Sequence, residues 1–368
     1  MSAMHDESGG SVSAAMSAHL RQVIASAGGW IGFDRFMHEA LYAPGLGYYA
    51  RGHLPFGLLP SDGSDFVTAP EMSPLFGRAL AVQVAQGLQA ADARAVVEFG
   101  AGSGALAAQL LQALGDRVER YVIVEVSTGL RERQRERLAV FGDRVAWADR
   151  WPERIEGVVV GNEVLDAMPA QLLAFDGRQW LERGVALHGQ ALAFADAPTD
   201  LRPPAEGPFV PGTVTEIQPQ AQAFVASLAD RLRRGLALFI DYGFPQDEVY
   251  HPQRTSGTLM CHRGHRADGN PLADVGEKDI TVHVDFTAIA LAAQHAGLEV
   301  AGYTSQGRFL LNCGLASMLE DATTAQRAAA HRLVAEHEMG ELFKVIALSR
   351  GVEAPLLGFA QGDRTHRL

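Results

Sequence analysis

Acidic residues at the ends of apolar runs are the first places in this chain where chemistry can be expected. Glu98 falls inside Ala95-Val-Val-Glu-Phe-Gly-Ala-Gly-Ser-Gly-Ala-Leu106, an apolar run that turns on Gly100, Gly102 and Gly104 and continues into an alanine- and leucine-rich stretch. With glycines flanking Ala101, little stands between a ligand and the backbone. The first half reads as a buried strand and the second as the opening of a helix. That helix would aim its free N–H groups and positive dipole end at the turn. Such a strand, loop and helix suit an adenosine-bearing cofactor.

Two cofactors compete for these residues. Gly-Ala-Gly-Ser-Gly-Ala fits the dinucleotide fingerprint, and Glu125, 21 residues beyond Gly104, stands where a ribose-binding acid is expected. The same stretch fits the acid-x-Gly-x-Gly-x-Gly motif that receives S-adenosylmethionine, with Glu98 as the acid. A carboxylate beside the loop welcomes the methionine ammonium and repels a pyrophosphate. Glu98 therefore favours S-adenosylmethionine. Glu125, closing Tyr121-Val-Ile-Val-Glu125, serves either reading. A nicotinamide dinucleotide remains the weaker alternative.

The second set of acids lies further on. The run Gly157-Val-Val-Val-Gly-Asn-Glu163 ends in Asn162, Glu163 and Asp166, and ligands in open α/β sheets sit outside the carboxyl ends of strands. Glu216 and Asp241 also close predicted strands. Methyl transfer from a sulfonium asks the protein mainly for alignment and electrostatics. An arginine acceptor stays protonated, and paired carboxylates can orient its planar fork. Glu163, Asp166, Glu216 and Asp241 are the candidates, although each could equally cap a helix or pair with a loop arginine. Cys261, His262, His265 and His283 match no closed zinc pattern, so no metal is expected. Hydrolase elbows and phosphate-loop lysines are not visible in the sequence.

These groups need a scaffold of some size. The 368 residues are 47% apolar with 39 glycines, enough for one large loop-rich globular domain or two. A formal charge of −12 argues against general nucleic-acid binding and suits a basic partner. Two cysteines point away from a disulfide framework. The N-terminus lacks an apolar core, no run reaches membrane-spanning length, and a cytoplasmic location is expected.

In order, residues 1–16 read as a disordered tail. Helices are expected over 17–28 and 33–41, followed by the glycine-rich, aromatic Gly45-Leu-Gly-Tyr-Tyr-Ala-Arg-Gly52 and a loop to Asp65. Thr68 and Glu71, with Pro70 between them, read as a capping box in a loop over the cofactor. From residue 93 strands alternate with helices, the signature of a parallel sheet covered on both faces. The Arg/Glu-rich helix 128–141 reads as a solvated face. Short alternating runs make 172–217 an antiparallel β insertion. Residues 244–281 lack a regular pattern, and a loop that long within a compact domain suggests a task. A closing strand ends near 350, with 351–368 trailing.

The motifs taken together resemble the MidA-like methyltransferases. They are Asp65-Phe-Val-Thr-Ala-Pro-Glu-Met-Ser-Pro-Leu-Phe-Gly77, the Glu98 glycine loop, Glu125-Val-Ser127, Asn162-Glu-Val-Leu-Asp-Ala-Met-Pro169, Asp241-Tyr-Gly243, Gly257-Thr258 and Asp279-Ile-Thr-Val-His-Val-Asp-Phe286. The likeness runs from about residue 20 to 350, and Met168 and Val282 are mild departures from it. It implies an α/β, Rossmann-like class I methyltransferase sheet of seven mostly parallel strands, with a helical N-terminal extension over 17–92 and the insertion inside a domain over 93–350. It also implies S-adenosyl-L-methionine as cofactor and protein-arginine methylation, as in mitochondrial relatives that act on a respiratory complex I subunit. Small-molecule methylation, or an assembly factor that binds without turnover, are the alternatives.

On this resemblance, Glu98, Gly100, Ala101, Gly102 and Gly104 hold the methionine end. Glu125 and Val126 hold the ribose, Asp149 the adenine side, and Asn162 adjoins the cofactor. Glu163, Asp166 and Asp285 face the acceptor as catalytic acids. Tyr48, Tyr49, Glu71, Glu216, Asp241 and His283 complete the substrate pocket.

Overall fold

The computed structural model describes residues 7–51 and 64–368. Part of the loop expected before Asp65 therefore lies outside the described residues.

Seven strands form the main sheet: β1 (Ala95–Phe99), β2 (Arg120–Val124), β3 (Val145–Ala148), β4 (Ile155–Asn162), β5 (Leu232–Phe244), β6 (Glu299–Ser305) and β7 (Phe343–Arg350). Their order is β6-β7-β5-β4-β1-β2-β3, and Val284–Asp285 adds a short pairing to the end of β5. The strands β1 to β5 run parallel, while β7 runs antiparallel to both neighbours. Alternation of side chains explains the two covered faces. Val96, Val158 and Leu236 point into one apolar cluster, beside the helix Pro74–Ala91. Val97, Val159 and Ala237 point into the other, with the helices Pro219–Arg231 and Phe286–His295. Each fully buried valine or leucine contributes about 1.5–3 kcal/mol to this sandwich. Gly87 lets the helix Pro74–Ala91 come close: a Cβ there would lie 2.9 Å from Val158 Cγ2.

A second sheet is antiparallel. Gln171–Phe175, Trp180–His188, Ala191–Pro198 and Val214–Ile217 come from the expected insertion, and Trp30–Gly32 joins them from the N-terminal extension. Its core is built with the helix Phe33–Tyr42 and the first helix, through Met16, Leu20, Ile24, Phe36, Leu172 and Val185.

Several expectations are corrected. The first helix is Glu7–Ser26, so residues 7–16 are helical; Met16 and Leu20 supply the buried stripe that holds it. The patternless stretch 244–281 contains a small sheet of Met260–Arg263, Arg266–Asp268 and Asp279–Thr281. Residues 351–368 pack back onto the domain: Leu356 and Phe359 are buried, and the Arg364 N–H donates to Tyr303 O at 2.7 Å. The expected capping box does not form. Thr68 makes no side-chain cap bond, and Ser73 instead accepts the Leu75 N–H at 3.3 Å to cap the following helix. Cys261 and Cys313 are free and buried. Among the described residues no helix is long and apolar enough to cross a membrane.

Candidate active site

The carboxyl ends of β1, β2, β4 and β5 open onto one cavity of about 800 Å³. At the end of β1 the chain turns on Gly100, Gly102 and Gly104, with φ of +64°, +52° and +81°, and enters the helix Ala105–Leu114. An L-side chain at any of these three would be strained. Glu98 is buried beneath the turn and its Oε2 accepts the Tyr121 hydroxyl at 2.6 Å. Burial pushes its carboxyl up to about 7, against the Tyr121 hydrogen bond.

Glu125 follows β2. Its Oε1 accepts the Ser127 N–H at 2.9 Å and its Oε2 accepts Gln134 Nε2 at 3.3 Å. Burial raises its pKa, and these bonds oppose the rise. Gln134 also donates to Gly102 O at 2.9 Å and accepts from Trp147 Nε1 at 3.0 Å, so one side chain fastens the glycine loop to the acid. Gln134 was not among the expected site residues. Its signal lay in the spacing: Leu130, Gln134 and Leu138 form the buried stripe of a helix read only for its solvated face.

Glu163 and Asp166 follow β4. Asn162 Nδ2 donates to Glu163 Oε1 at 2.9 Å, and Ala69 N–H also bonds the Glu163 carboxylate. Glu163 has φ of +55°, a left-handed conformation that costs a non-glycine residue on the order of 1–3 kcal/mol. Asp279, from the small sheet, enters the same space, with Tyr49 Oη donating to its Oδ1 at 2.9 Å. Burial, then the charge of Asp166, pushes both Glu163 and Asp279 up to about 8. Asp166 rises to about 6, chiefly by burial, against the hydroxyl of Tyr242. Stacked Tyr42 and Tyr49 rings, 5.7 Å apart, line one side, and Tyr242, His283 and Phe343 line another. Burial and the positive charges of Arg254 and Lys344 lower His283 to about 4, so its imidazole is neutral at pH 7.

The short helix Ala69–Met72 bridges the two halves. Its Ala69 reaches Glu163, while Glu71 accepts from the Ser103 hydroxyl of the glycine loop and from Arg137 at 3.1 Å. Arg137, also assigned to a solvated face, is a further residue that the sequence did not single out.

Of the expected site residues, Glu98, Gly100, Ala101, Gly102, Glu125, Val126 and Asn162 line the cavity on the glycine-loop side. Glu163, Asp166, Tyr49, Glu71 and His283 line it elsewhere. The structure puts the others outside it. Gly104 is the N-cap of Ala105–Leu114, and Asp149 is exposed beyond β3. Tyr48 is fully buried with its hydroxyl on Asp65 at 2.8 Å. Glu216 Oε1 accepts the N–H groups of Thr258 and Leu259 at 2.8 and 2.9 Å, which ties down a turn. Asp241 accepts backbone N–H groups behind the cavity wall. Asp285 caps the helix Phe286–His295, its Oδ1 accepting the Ala288 N–H at 3.1 Å. Asp279, which lines the cavity, was not among the expected site residues.

The cavity's chemistry is lopsided. Glu71, Glu98, Glu125, Glu163, Asp166 and Asp279 line it, and among the described lining residues none is lysine or arginine. Such a site favours cations. S-adenosylmethionine, with its ammonium and sulfonium, fits it. Glu98 and the loop Gly100–Gly102 would hold the amino-acid end, and the Glu125 carboxylate, locked by Ser127 and Gln134, the ribose hydroxyls. Among the described residues no group of three His, Cys, Asp or Glu is arranged to hold a metal.

Comparison with known proteins agrees with this geometry. The model of a family of S-adenosyl-L-methionine-dependent methyltransferases matches residues 79–304. A crystal structure from Burkholderia thailandensis, bound to S-adenosyl-homocysteine, is 50% identical with a TM-score of 0.96, over 100% of both chains. The mouse (Mus musculus) protein arginine methyltransferase NDUFAF7, mitochondrial, is 29% identical over 82% of this chain and 74% of its own. Its Drosophila melanogaster homolog is 26% identical over 94% of this chain and 88% of its own.

Proposed function

The chain belongs to the MidA-like family of S-adenosyl-L-methionine-dependent methyltransferases, and from that premise we propose that its methyl acceptor is an arginine side chain of a partner protein. One observation carries the reading: Glu163, Asp166 and Asp279 converge on the cavity beside the cofactor loop with no basic side chain among the described lining residues to neutralise them. A protonated guanidinium supplies the missing charge and presents its donors in a plane suited to carboxylates. The protein-arginine methyltransferases among its relatives support the same acceptor.

S-adenosylmethionine brings a methyl group activated on a sulfonium. The residues of this chain do the rest. Glu163 and Asp166 grip the guanidinium and fix which nitrogen faces the methyl, while Asp279, steadied by Tyr49, bounds the far side. Moving a methyl from sulfur to that nitrogen obliges the nitrogen to shed one proton. Ionised by the bound cation, a carboxylate whose proton affinity burial pushes up to about 8 in the free protein is suited to take it. Tyr42, Tyr49, Tyr242 and Phe343 supply apolar walls that keep water from the reacting nitrogen.

The test is to incubate the purified protein with methyl-labelled cofactor and an arginine-peptide library, then read the products by mass spectrometry. Methylarginine is the expected product. Label entering only lysine or a small molecule would overturn the assignment of acceptor while leaving the cofactor untouched.

A further inference from the structure

Asp241 lies on β5, outside the residues that line the cavity. Its Oδ2 accepts the backbone N–H groups of Val164, Leu165 and Asp166 at 3.1, 2.9 and 3.3 Å. Its Oδ1 accepts the Tyr242 N–H at 3.0 Å. Three successive N–H groups converging on one oxygen form an anion nest. This nest is the turn that carries Glu163 at one end and Asp166 at the other. The Glu163 N–H is itself held by Ile240 O at 2.8 Å, so the whole turn hangs on residues 240 and 241. Glu163 pays for its place with φ of +55°, a conformation that persists only where the surroundings over-determine it.

Resting on the arginine reading above, we propose that Asp241 is the positioning residue of the acceptor site: its carboxylate holds the turn that presents Glu163 and Asp166, and it supplies a fixed negative charge behind them. The other groups facing the pair are known. Asp279 with Tyr49 comes from the small sheet and the N-terminal extension, Tyr242 from β5, Asn162 from β4, and the Ala69 N–H from the overlying helix. Lys344, the register partner of Asp241 on β7, turns its ammonium to the carbonyls of Glu341 and Leu342. Burial and the charges of Asp166 and Glu163 raise the proton affinity of Asp241, but a proton on Oδ2 would have to displace one of its three donated N–H groups. The N–H groups of Leu165 and Asp166 oppose that rise, and an ionised Asp241 leaves the protons of the cluster on the acids that face the cavity.

Two variants separate charge from geometry. Asp241→Asn keeps the size and removes the charge; Asp241→Glu keeps the charge and displaces the oxygens. In the protein saturated with S-adenosyl-homocysteine, infrared titration of buried carboxyls needs no acceptor. The Asp241→Asn midpoint is expected to fall by about one pH unit or more, with Asp241→Glu staying near wild type. Both should bind S-adenosyl-homocysteine within about threefold of wild type. Both should lose methyl transfer to an arginine peptide by about 100-fold in kcat. An unmoved titration in Asp241→Asn, or wild-type kcat in both variants, overturns the proposal. Loss of cofactor binding in both would make Asp241 a residue of the fold alone and also overturn it. A shifted titration in Asp241→Asn, with the wild-type protein itself inactive on every arginine peptide, would instead uphold Asp241 and overturn the arginine reading.

Discussion

Glu163 and Asp279 are both raised by burial and by the same neighbour, Asp166, yet they enter the cavity from different elements. They differ in support: Glu163 is held by Asn162 and the Ala69 N–H, Asp279 by the Tyr49 hydroxyl. Glu163→Gln should leave the Kd for S-adenosyl-homocysteine within about threefold and lower kcat by about 100- to 1,000-fold, the loss typical of removing one preorganised electrostatic contact. Asp279→Asn should act in the same direction, more weakly if Tyr49 re-aims. Asp285→Ala is the matching control. It removes a cap, so a cost of about 1 kcal/mol should appear in denaturant unfolding while kcat stays near wild type. Steady-state kinetics and calorimetry on the three variants check this; a collapse of kcat in Asp285→Ala alone would restore that residue to the acceptor site. On the cofactor side, Glu125→Ala should weaken S-adenosyl-homocysteine on the order of 100-fold, two charge-assisted hydrogen bonds being lost.

At the scale of elements, the segment after β7 has a structural task. Phe359 covers Gly302 on β6, where a Cβ would come within 2.4 Å of its ring, and meets Phe309 edge-on with centroids 5.4 Å apart. Phe359→Ala should cost about 3 kcal/mol of stability, read as a lower midpoint in denaturant at an unchanged slope, with cofactor affinity preserved. A neutral outcome would mean that this segment merely rests on the surface. The same segment shows what a sequence conceals. Its Leu356 and Phe359 are too few for a period, so 351–368 read as a tail, whereas Ala95–Phe99 and Ile155–Asn162 announced themselves as continuous apolar runs. Glu98, Glu125 and Glu163 were legible because each stands in or just past such a run. Asp279 opened one of the quoted motifs but was not singled out as a site residue, because its strand is three residues long and lies in a stretch without pattern. Asp285, which caps a helix outside the cavity lining, illustrates the opposite difficulty: in sequence an acid before a helix looks the same whether it caps the helix or faces a ligand.

Taken as a whole, the molecule stores unfavourable charge at its site, and its stability should report it. Glu98 is pushed up to about 7, Glu163 and Asp279 to about 8, and Asp166 and Asp285 to about 6, all first by burial. In the unfolded chain these acids titrate near 4. Between about pH 5 and pH 8 the folded state therefore binds more protons than the unfolded one, and the sign of the linkage makes stability fall as pH rises. The free protein should lose a few degrees of Tm between pH 5.5 and pH 8.5, opposite to the behaviour of a protein whose acids are salt-bridged. A cationic cofactor removes the reason for the protons to stay. S-adenosylmethionine should flatten the slope, and its binding should release protons, seen as calorimetric enthalpies that depend on buffer ionisation at pH 7. Below pH 4 the order reverses, because Glu341, held down by Arg364 against its own burial, loses its partner as it protonates. A free protein whose Tm rises steadily from pH 5.5 to pH 8.5 would mean that the cavity acids are compensated in solution, and the cation preference on which the acceptor assignment stands would lose its cause.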